Sequence, residues 1–263
     1  KNPSEALRKV QEALALSIAQ NDEFTEAKCY LLLGEINENI QEWSLAKQNY
    51  THAMEILSAD FAASSVHKKS LQGLGNANLK LGEFDEALEN FREILSLRLS
   101  SEEKAERELD ISEVYYQMGN YDDALKTVED ISYNSKIATS FDTRVQNQKA
   151  KILARMNELD KSKDLYQNSL NRAGTNKPPD QLEKQSVQET KEEIADVMRS
   201  QKKYDDEITL RNQSIEYNLK SNNLAEVTKD KVEISRTLAA KGENSAALKE
   251  LEEAAKIADT LNN

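Results

Sequence analysis

Apolar and small residues recur along the chain in a pattern that a helix would place on one side. The pattern is clearest in two stretches, Leu33-Gly34…Trp43…Ala46…Tyr50…Ala53 and Leu74-Gly75…Gly82…Phe84…Ala87…Phe91…Ile94. In the second half of each stretch, from Trp43 and from Phe84 onwards, neighbouring positions are three or four residues apart, which is the spacing of one face of an α-helix. In the first half, Tyr30 and Leu71 stand three and four residues before the quoted Leu-Gly pairs, with the same spacing. Each stretch therefore predicts two amphipathic helices.

The pattern returns along the whole sequence, and one position in it is usually small. That position is occupied in turn by Ala6, Ala46, Ala87, Ala124, Ser162, Glu207 and Ala247. Successive members are 37 to 45 residues apart, so the chain is a tandem array with a long period. Ser162 and Glu207 depart from the alanine of the other copies. The first copy matches only the second half of the pattern, which predicts that the chain begins with half a repeat.

Short connectors separate the two predicted helices of a repeat. They are Asn39–Glu42, Leu81–Glu83, Met118–Asn120 and Lys241–Glu243, and three of them carry glycine where the chain leaves the first helix. Glycine at that point favours a left-handed exit from a helix. Connectors of this length force neighbouring helices to run antiparallel. The sequence thus predicts an all-α protein in which small residues let paired helices pack closely.

This pattern resembles the tetratricopeptide repeat, and the resemblance covers essentially the whole chain. It implies an all-α, right-handed superhelix (an α-solenoid) of antiparallel helix pairs, about 13 helices in all, with a concave binding groove. The period of about 40 residues is longer than is usual in the family. In this respect the chain is similar to peptide-pheromone receptors, kinesin light chains and the input regions of some bacterial sensor histidine kinases.

The predicted organisation is a single array over 1–263. A half repeat at 1–22 precedes six repeats, at 24–60, 65–100, 102–136, 141–176, 181–221 and 225–261. The longest loop, at 172–181, collects glycine and proline and is the best candidate for a bend. The alternative is a passive surface loop, because the apolar pattern resumes directly after it. An apolar stripe on the last helix suggests that the chain is a segment of a longer protein.

Composition and charge narrow the possible partners. The formal net charge is −12, which argues against a nucleic-acid or anionic-membrane partner. A single cysteine excludes an intrachain disulfide. No run approaches the roughly 18 apolar residues of a membrane span. We therefore expect a soluble segment, compatible with cytoplasm or periplasm, that does not contact a membrane.

Residues for catalysis or metal binding do not converge in the sequence. His52 and His67 lie on different predicted helices, without a metal-binding spacing or a nearby cysteine. The Gly73-Leu74-Gly75 stretch lacks the third glycine of a dinucleotide-binding loop, since Asn78 stands there. Acidic pairs such as Asp122-Asp123 fall at helix starts, where carboxylates interact favourably with the helix dipole. We predict no metal, no cofactor and no enzymatic activity.

The resemblance also implies which side chains line the groove. The candidate ligand-binding residues are Lys69, Gln72, Asn76, Lys80, Glu113, Tyr116, Arg144, Asn147, Lys151, Arg155, Asp196 and Arg236. Taken with their neighbours, including Glu38, Glu192 and Lys229, they alternate in charge from repeat to repeat. Two interpretations of these alternating bands of charge stay open. The bands bind an extended peptide whose own charges alternate, or neighbouring repeats neutralise one another through ion pairs.

Some members of the family hold a C-terminal carboxylate between lysine and asparagine side chains. Asn76 matches that asparagine, but Gln72 stands where the lysine is required. Glu106 and Asp110 follow where cations are needed, so a ligand carboxylate would meet repulsion. A chaperone tail is therefore not the expected ligand.

The sequence favours a non-catalytic scaffold for a protein or peptide. The main hypothesis is the sensory or interaction segment of a larger signalling protein, similar to a bacterial sensor histidine kinase of a two-component system. The alternatives are a peptide-pheromone receptor or a regulator of a partner enzyme.

Overall fold

The structure, a computed structural model, describes residues 3–57, 65–134, 139–173 and 181–261, and those residues form thirteen α-helices. The helices are α1 Pro3–Gln20, α2 Glu23–Asn39, α3 Trp43–Ile56, α4 Ser65–Leu81, α5 Phe84–Ser96, α6 Ser101–Gln117, α7 Tyr121–Asn134, α8 Thr139–Arg155, α9 Leu159–Ala173, α10 Gln181–Ser200, α11 Tyr204–Lys220, α12 Leu224–Lys241 and α13 Asn244–Leu261. No strand occurs in these residues. The predicted all-α class and the predicted number of helices are confirmed.

The turns inside the repeats share one backbone conformation, a residue with positive φ just after the first helix. Gly82, Gly119 and Gly242 have φ of 80°, 77° and 92°, which confirms the predicted left-handed exits. Gln41, Asn157 and Lys202 adopt the same conformation without glycine in the other repeats. At each of these turns the amide nitrogen of the next residue donates to a carbonyl five positions back, as Glu83 does to Asn78.

The N-terminal unit comprises Lys1–Thr127. In it each helix from α2 to α5 packs on the next, and α2 also contacts α4 directly. The small positions Ala46, Ala87 and Ala124 are fully buried, and Gly34 and Gly75 are buried opposite them. Their burial shows that the predicted close contact of paired helices forms. Large apolar side chains, including Leu71, Phe91 and Val114, fill the space between successive pairs.

The C-terminal unit comprises Val128–Asn263. In it α8 packs on α9 and α10, α11 packs on α10 and α12, and α13 packs on α12. Its interior is more polar than that of the N-terminal unit. Among the described residues, sixteen polar or charged residues are buried in the C-terminal unit and six in the N-terminal unit. The packing of α10–α12 therefore depends on hydrogen bonds and ion pairs as well as on apolar contact.

The division between the units falls inside α7, between residues 127 and 128. The loop prediction falls largely on residues 174–180, which lie outside the described residues. Repeats four, five and six begin with α8, α10 and α12, which start at Thr139, Gln181 and Leu224.

Candidate ligand-binding face

Side chains from three successive first helices meet on one face of the N-terminal unit. We call this the N-terminal inner face and define it by Glu38 on α2, Gln72 and Asn76 on α4, and Asp110 on α6. The Asn76 side-chain nitrogen donates to Glu38 Oε1 over 3.2 Å. The Gln72 nitrogen donates to Asn76 Oδ1 over 3.0 Å and to Asp110 Oδ2 over 3.4 Å. A polar row therefore crosses three repeats.

A buried tyrosine supports one end of this row. Tyr50 projects from α3, is 1% exposed, and donates its hydroxyl proton to Glu38 Oε2 over 2.6 Å. Its ring occupies the space that a Cβ at Gly34 or Gly73 would fill. Burial first, and then the Glu38 carboxylate, raise the pKa of Tyr50, so the hydroxyl keeps its proton and acts as a donor.

Charged groups flank the polar row. Lys69 and Lys80 are exposed on α4, and neither has an ion pair among the described residues. Asp110 is 2.9 Å from Arg107, which compensates its charge. Glu113 accepts a hydrogen bond from Gln117, whereas Tyr116 is buried with its ring 5.8 Å from that of Tyr121. Of the groove residues expected in this unit, Tyr116 alone is not on the open surface, because it packs as a core side chain.

The groove residues expected on α8 are distributed differently. Asn147 is fully buried and donates to Ser186 on α10, and Lys151 is also buried. Both side chains are therefore buried and not on an open face, which differs from the expectation. Arg144 lies over the Phe141 ring at 5.2 Å, and Arg155 forms an ion pair with Glu193 on α10.

The remaining expected groove residues lie on α10 and α12. Asp196 is exposed, and its pKa is raised by desolvation and by Glu192 and Glu193, against the lowering effect of Arg199. Arg236 is exposed and pairs with Glu233 on its own helix. Between the helices, Lys229 on α12 pairs with Glu192 on α10 over 2.9 Å. In this unit the alternating bands are thus linked by ion pairs between neighbouring repeats, as the second interpretation of the charge pattern expects.

A buried charge network, which was not predicted from the sequence, joins α10, α11 and α12. Lys191, Glu207, Arg211 and Asp230 are each 0% exposed. Lys191 Nζ is 2.6 Å from Asp230 Oδ1, and Arg211 is 3.2 Å from the same oxygen. Arg211 also contacts Glu207 and Glu192, each over 3.1 Å. Arg199 bridges Glu207 to Glu233.

The signal for this network was in the repeat alignment. Glu207 stands where other repeats have alanine, and Arg211, four residues later, stands where they have Tyr50, Phe91 or Tyr166. Two opposite charges at the two main packing positions of one repeat indicate a buried ion pair, because neither charge could be buried alone. Only the departure at Glu207 was recognised from the sequence.

The network fixes the ionisation of Glu192. Desolvation raises its pKa, but the Lys229 hydrogen bond and the charges of Arg211 and Lys191 outweigh that effect and lower the pKa to about 2. Glu192 is therefore a carboxylate across the whole physiological range. It links the exposed Lys229 to the buried Arg211.

The histidines are separate from these features. His52 Nδ1 is 3.2 Å from Glu55, and the buried His67 lies 3.7 Å from Glu93. In the part of the chain that the structure describes, no group of three or more His, Cys, Asp or Glu side chains is arranged to hold a metal ion. None of the described helices has the length and apolarity to span a membrane.

A cleft of about 460 Å³ lies between α3 and the α4–α5 turn. Its lining includes Lys47 and Glu83, which form an ion pair across it. None of the expected groove residues lines this cleft. It is therefore distinct from the N-terminal inner face.

Repeated antiparallel helix pairs with small residues at their contacts define a class of helical repeat protein. The family model of the tetratricopeptide repeat-like domain matches residues 34–196, and the chain therefore belongs to that family. The predicted resemblance is confirmed. No curated protein sequence matches the chain.

Solved structures share the fold at low sequence identity. The apo form of RapI is 14% identical, with a TM-score of 0.61 over 100% of this chain and 93% of that chain. A tetratricopeptide repeat protein from Parabacteroides merdae is 16% identical, with a TM-score of 0.57 over 96% and 93%. The apo quorum sensor NprR from B. thuringiensis is 14% identical, with a TM-score of 0.56 over 97% and 83%. At these identities the likeness concerns the fold.

Proposed function

We propose that this chain is a non-catalytic scaffold that binds a protein or a peptide on the N-terminal inner face. The observation that carries the proposal is the polar row from Glu38 to Asp110, which brings side chains of three repeats onto one surface. Polar groups that converge from several elements are what orient a bound ligand. Lys69 and Lys80, beside the row, add charges that have no ion pair in the described part of the chain.

Peptide selection tests this proposal directly. A random peptide library is selected on the wild-type protein, and affinities of the selected peptides are measured by calorimetry for wild type, Lys69→Glu and Lys126→Glu. Lys126 is a matched control, since it is an exposed lysine on α7, a second helix. We expect Lys69→Glu to change the affinity at least fivefold, because it reverses a charge beside the row, and Lys126→Glu to leave it unchanged. Equal effects of the two variants would reject this face.

We further propose that binding serves signalling. Two features support this: the repeat period of about 40 residues, and the fold shared with the quorum sensor NprR. This hypothesis has two versions. In the first, the receptor version, the chain is a peptide receptor: a bound peptide tightens the array and changes the activity of a partner protein. Small-angle scattering with and without a selected peptide tests it. A fall in the radius of gyration is expected, and an unchanged radius at saturating peptide counts against the receptor version.

The other version places the array in a larger protein of the sensor histidine kinase kind. The long period supports it, through the similarity to such input regions. Sequencing the flanking gene tests it. A kinase or other output domain in the same reading frame is expected, and its absence would leave the receptor version as the signalling hypothesis.

A further inference from the structure

The hydrogen bonds of the N-terminal inner face have a fixed direction. Glu38 and Asp110 stand at the two ends of the row, and a carboxylate can only accept hydrogen bonds. The Asn76 atom next to Glu38 must therefore be the amide nitrogen, which leaves Oδ1 facing Gln72. The Gln72 nitrogen must donate both to Asn76 and to Asp110. The two amides are thus held in one orientation, with neither free to flip.

The end of the row at Glu38 is itself anchored from the interior. The Tyr50 hydroxyl donates to the second oxygen of Glu38, and the Tyr50 ring is clamped between Gly34 and Gly73. The ring is 1% exposed, so it has little freedom to move. Glu38 therefore accepts a hydrogen bond from Tyr50 at one oxygen and from Asn76 at the other, so both oxygens of its carboxylate have a donor that orients them.

Hydrogen-bonding capacity remains on the two half-buried amides of the row, Gln72 and Asn76. Asn76 uses one of its two amide hydrogens and one of its two oxygen lone pairs, and the Gln72 carbonyl oxygen accepts no hydrogen bond within the described residues. One N–H donor and two carbonyl acceptors are left in fixed directions. A main-chain peptide group offers the complementary pair, one N–H and one C=O.

We propose that Tyr50, Glu38 and Asp110 are positioning residues, which hold the Asn76 and Gln72 amides so that the face binds the main chain of an extended peptide. This inference rests on the proposed function and deepens it by naming what is recognised. Recognition of the main chain depends little on ligand sequence, and the flanking Lys69 and Lys80 supply preference among side chains. Glu38 acts without touching the ligand, through Asn76.

Two measurements on one set of variants test the inference. Glu38→Gln keeps the shape but lets position 38 donate or accept, so it no longer dictates the direction of Asn76. Tyr50→Phe keeps the ring and removes the hydroxyl. Glu23→Gln is the matched control, an exposed glutamate in the first turn of the same helix with no hydrogen bond to the row. The first readout is the pair of side-chain amide signals of Asn76 in a ¹⁵N correlation spectrum, identified by their loss in Asn76→Ala.

The second readout is the affinity for the tightest peptide from the selection above and for its N-methylated analogue, which lacks main-chain N–H donors. We expect Glu38→Gln to move the Asn76 signals and to weaken the peptide about five- to tenfold, which corresponds to one poorly aligned hydrogen bond. Tyr50→Phe should act in the same direction, and Glu23→Gln should change neither readout. N-methylation should weaken binding to wild type more than binding to Glu38→Gln.

Unmoved Asn76 signals in Glu38→Gln would overturn the inference, and so would moved signals with unchanged peptide affinity. Failure of the proposed function gives a different result. In that case no peptide binds the wild-type face at all, while the amide signals, which need no ligand, still decide whether Glu38 positions Asn76.

Discussion

At the scale of single residues, Tyr50 connects the packing of the N-terminal unit to its polar row. The ring fills the contact between α2, α3 and α4, and the hydroxyl emerges beside Glu38. Two glycines make this possible, because the ring lies where their side chains would be. One side chain thus serves the core and the inner face, and a change at either glycine should disturb both.

Gly73→Ala is expected to destabilise the protein. In most helix interiors this change is stabilising, because alanine has the higher helix propensity by up to about 1 kcal/mol. Here the new Cβ would overlap the Tyr50 ring, which is almost fully buried and has little room to move away. Overpacking of this kind costs about 1–3 kcal/mol, so we expect a net loss in the free energy of unfolding.

Urea unfolding followed by circular dichroism measures the effect. The control is the same change in a Tyr50→Ala background, where the ring is absent and Gly73→Ala should be stabilising. If Gly73→Ala raised the stability of the wild type, the ring would not hold the position described.

At the scale of elements, the sequence predicted helices, turns and packing positions well, because each depends on local periodicity. Left-handed exits at Gly82 and Gly119 follow from one residue type at one position. The sequence could place Glu38, Asn76 and Asp110 on neighbouring helices, but it could not predict the hydrogen bonds between repeats. Hydrogen-bond partners depend on side-chain rotamers, which residue spacing does not determine. The burial of Asn147 and Lys151 was not predicted for a related reason: polarity suggested an open face, whereas both side chains are buried and Asn147 donates to Ser186 of α10.

Helix α11 provides the sharpest departure from the repeat pattern. Its two packing positions carry Glu207 and Arg211, an ion pair that takes the place of alanine and an aromatic ring. Buried ion pairs often contribute little net stability, whereas removal of one partner leaves an uncompensated buried charge. Glu207→Ala alone or Arg211→Ala alone should therefore lower the free energy of unfolding by about 3–5 kcal/mol.

The double variant Glu207→Ala/Arg211→Tyr restores the side chains of the first repeat at both positions. It should be as stable as wild type or more so, because every charged partner of the removed pair retains another ion pair. These remaining pairs are Asp230 with Lys191, Glu192 with Lys229, and Arg199 with Glu233. Urea unfolding compares the three variants. Asp205→Asn, which breaks an exposed pair with Lys241 at the start of the same helix, is the control and should change nothing measurable. A double variant less stable than both single ones would contradict this account.

At the scale of the whole molecule, one repeat pattern runs through two units whose interiors differ in polarity. The sequence suggested one array, and its periodicity does not change at residue 127. What changes is the content of the packing positions: mostly apolar or small in the N-terminal unit, and frequently polar or charged between α8 and α12. Acid should therefore act on the C-terminal unit, where the Glu192 carboxylate pairs with Arg211 and Lys229.

The pKa of Glu192 sets the pH range in which this loss of stability is expected. Its pKa in the folded protein is about 2, below the ordinary value of 4.5, so the folded state binds the proton less readily than the unfolded state. The stabilisation from Glu192 is complete above about pH 4.5 and is lost as the pH falls towards 2. Its size is about 2–3 kcal/mol, reduced from the full shift because 27% of the side chain is exposed.

Glu192→Gln should thus be less stable than wild type at pH 7, and the difference should shrink between pH 4.5 and pH 2 as the wild-type carboxyl takes up its proton. The measurement is the free energy of urea unfolding at several pH values, followed by circular dichroism, since the single tryptophan, Trp43, reports only on the N-terminal unit. Glu216→Gln, an exposed glutamate of α11, should show no such pH dependence. A stability difference that stayed constant down to pH 2 would mean that Lys229, Arg211 and Lys191 do not hold Glu192 in its charged form, and that the polar interior of this unit is stabilised by other contacts.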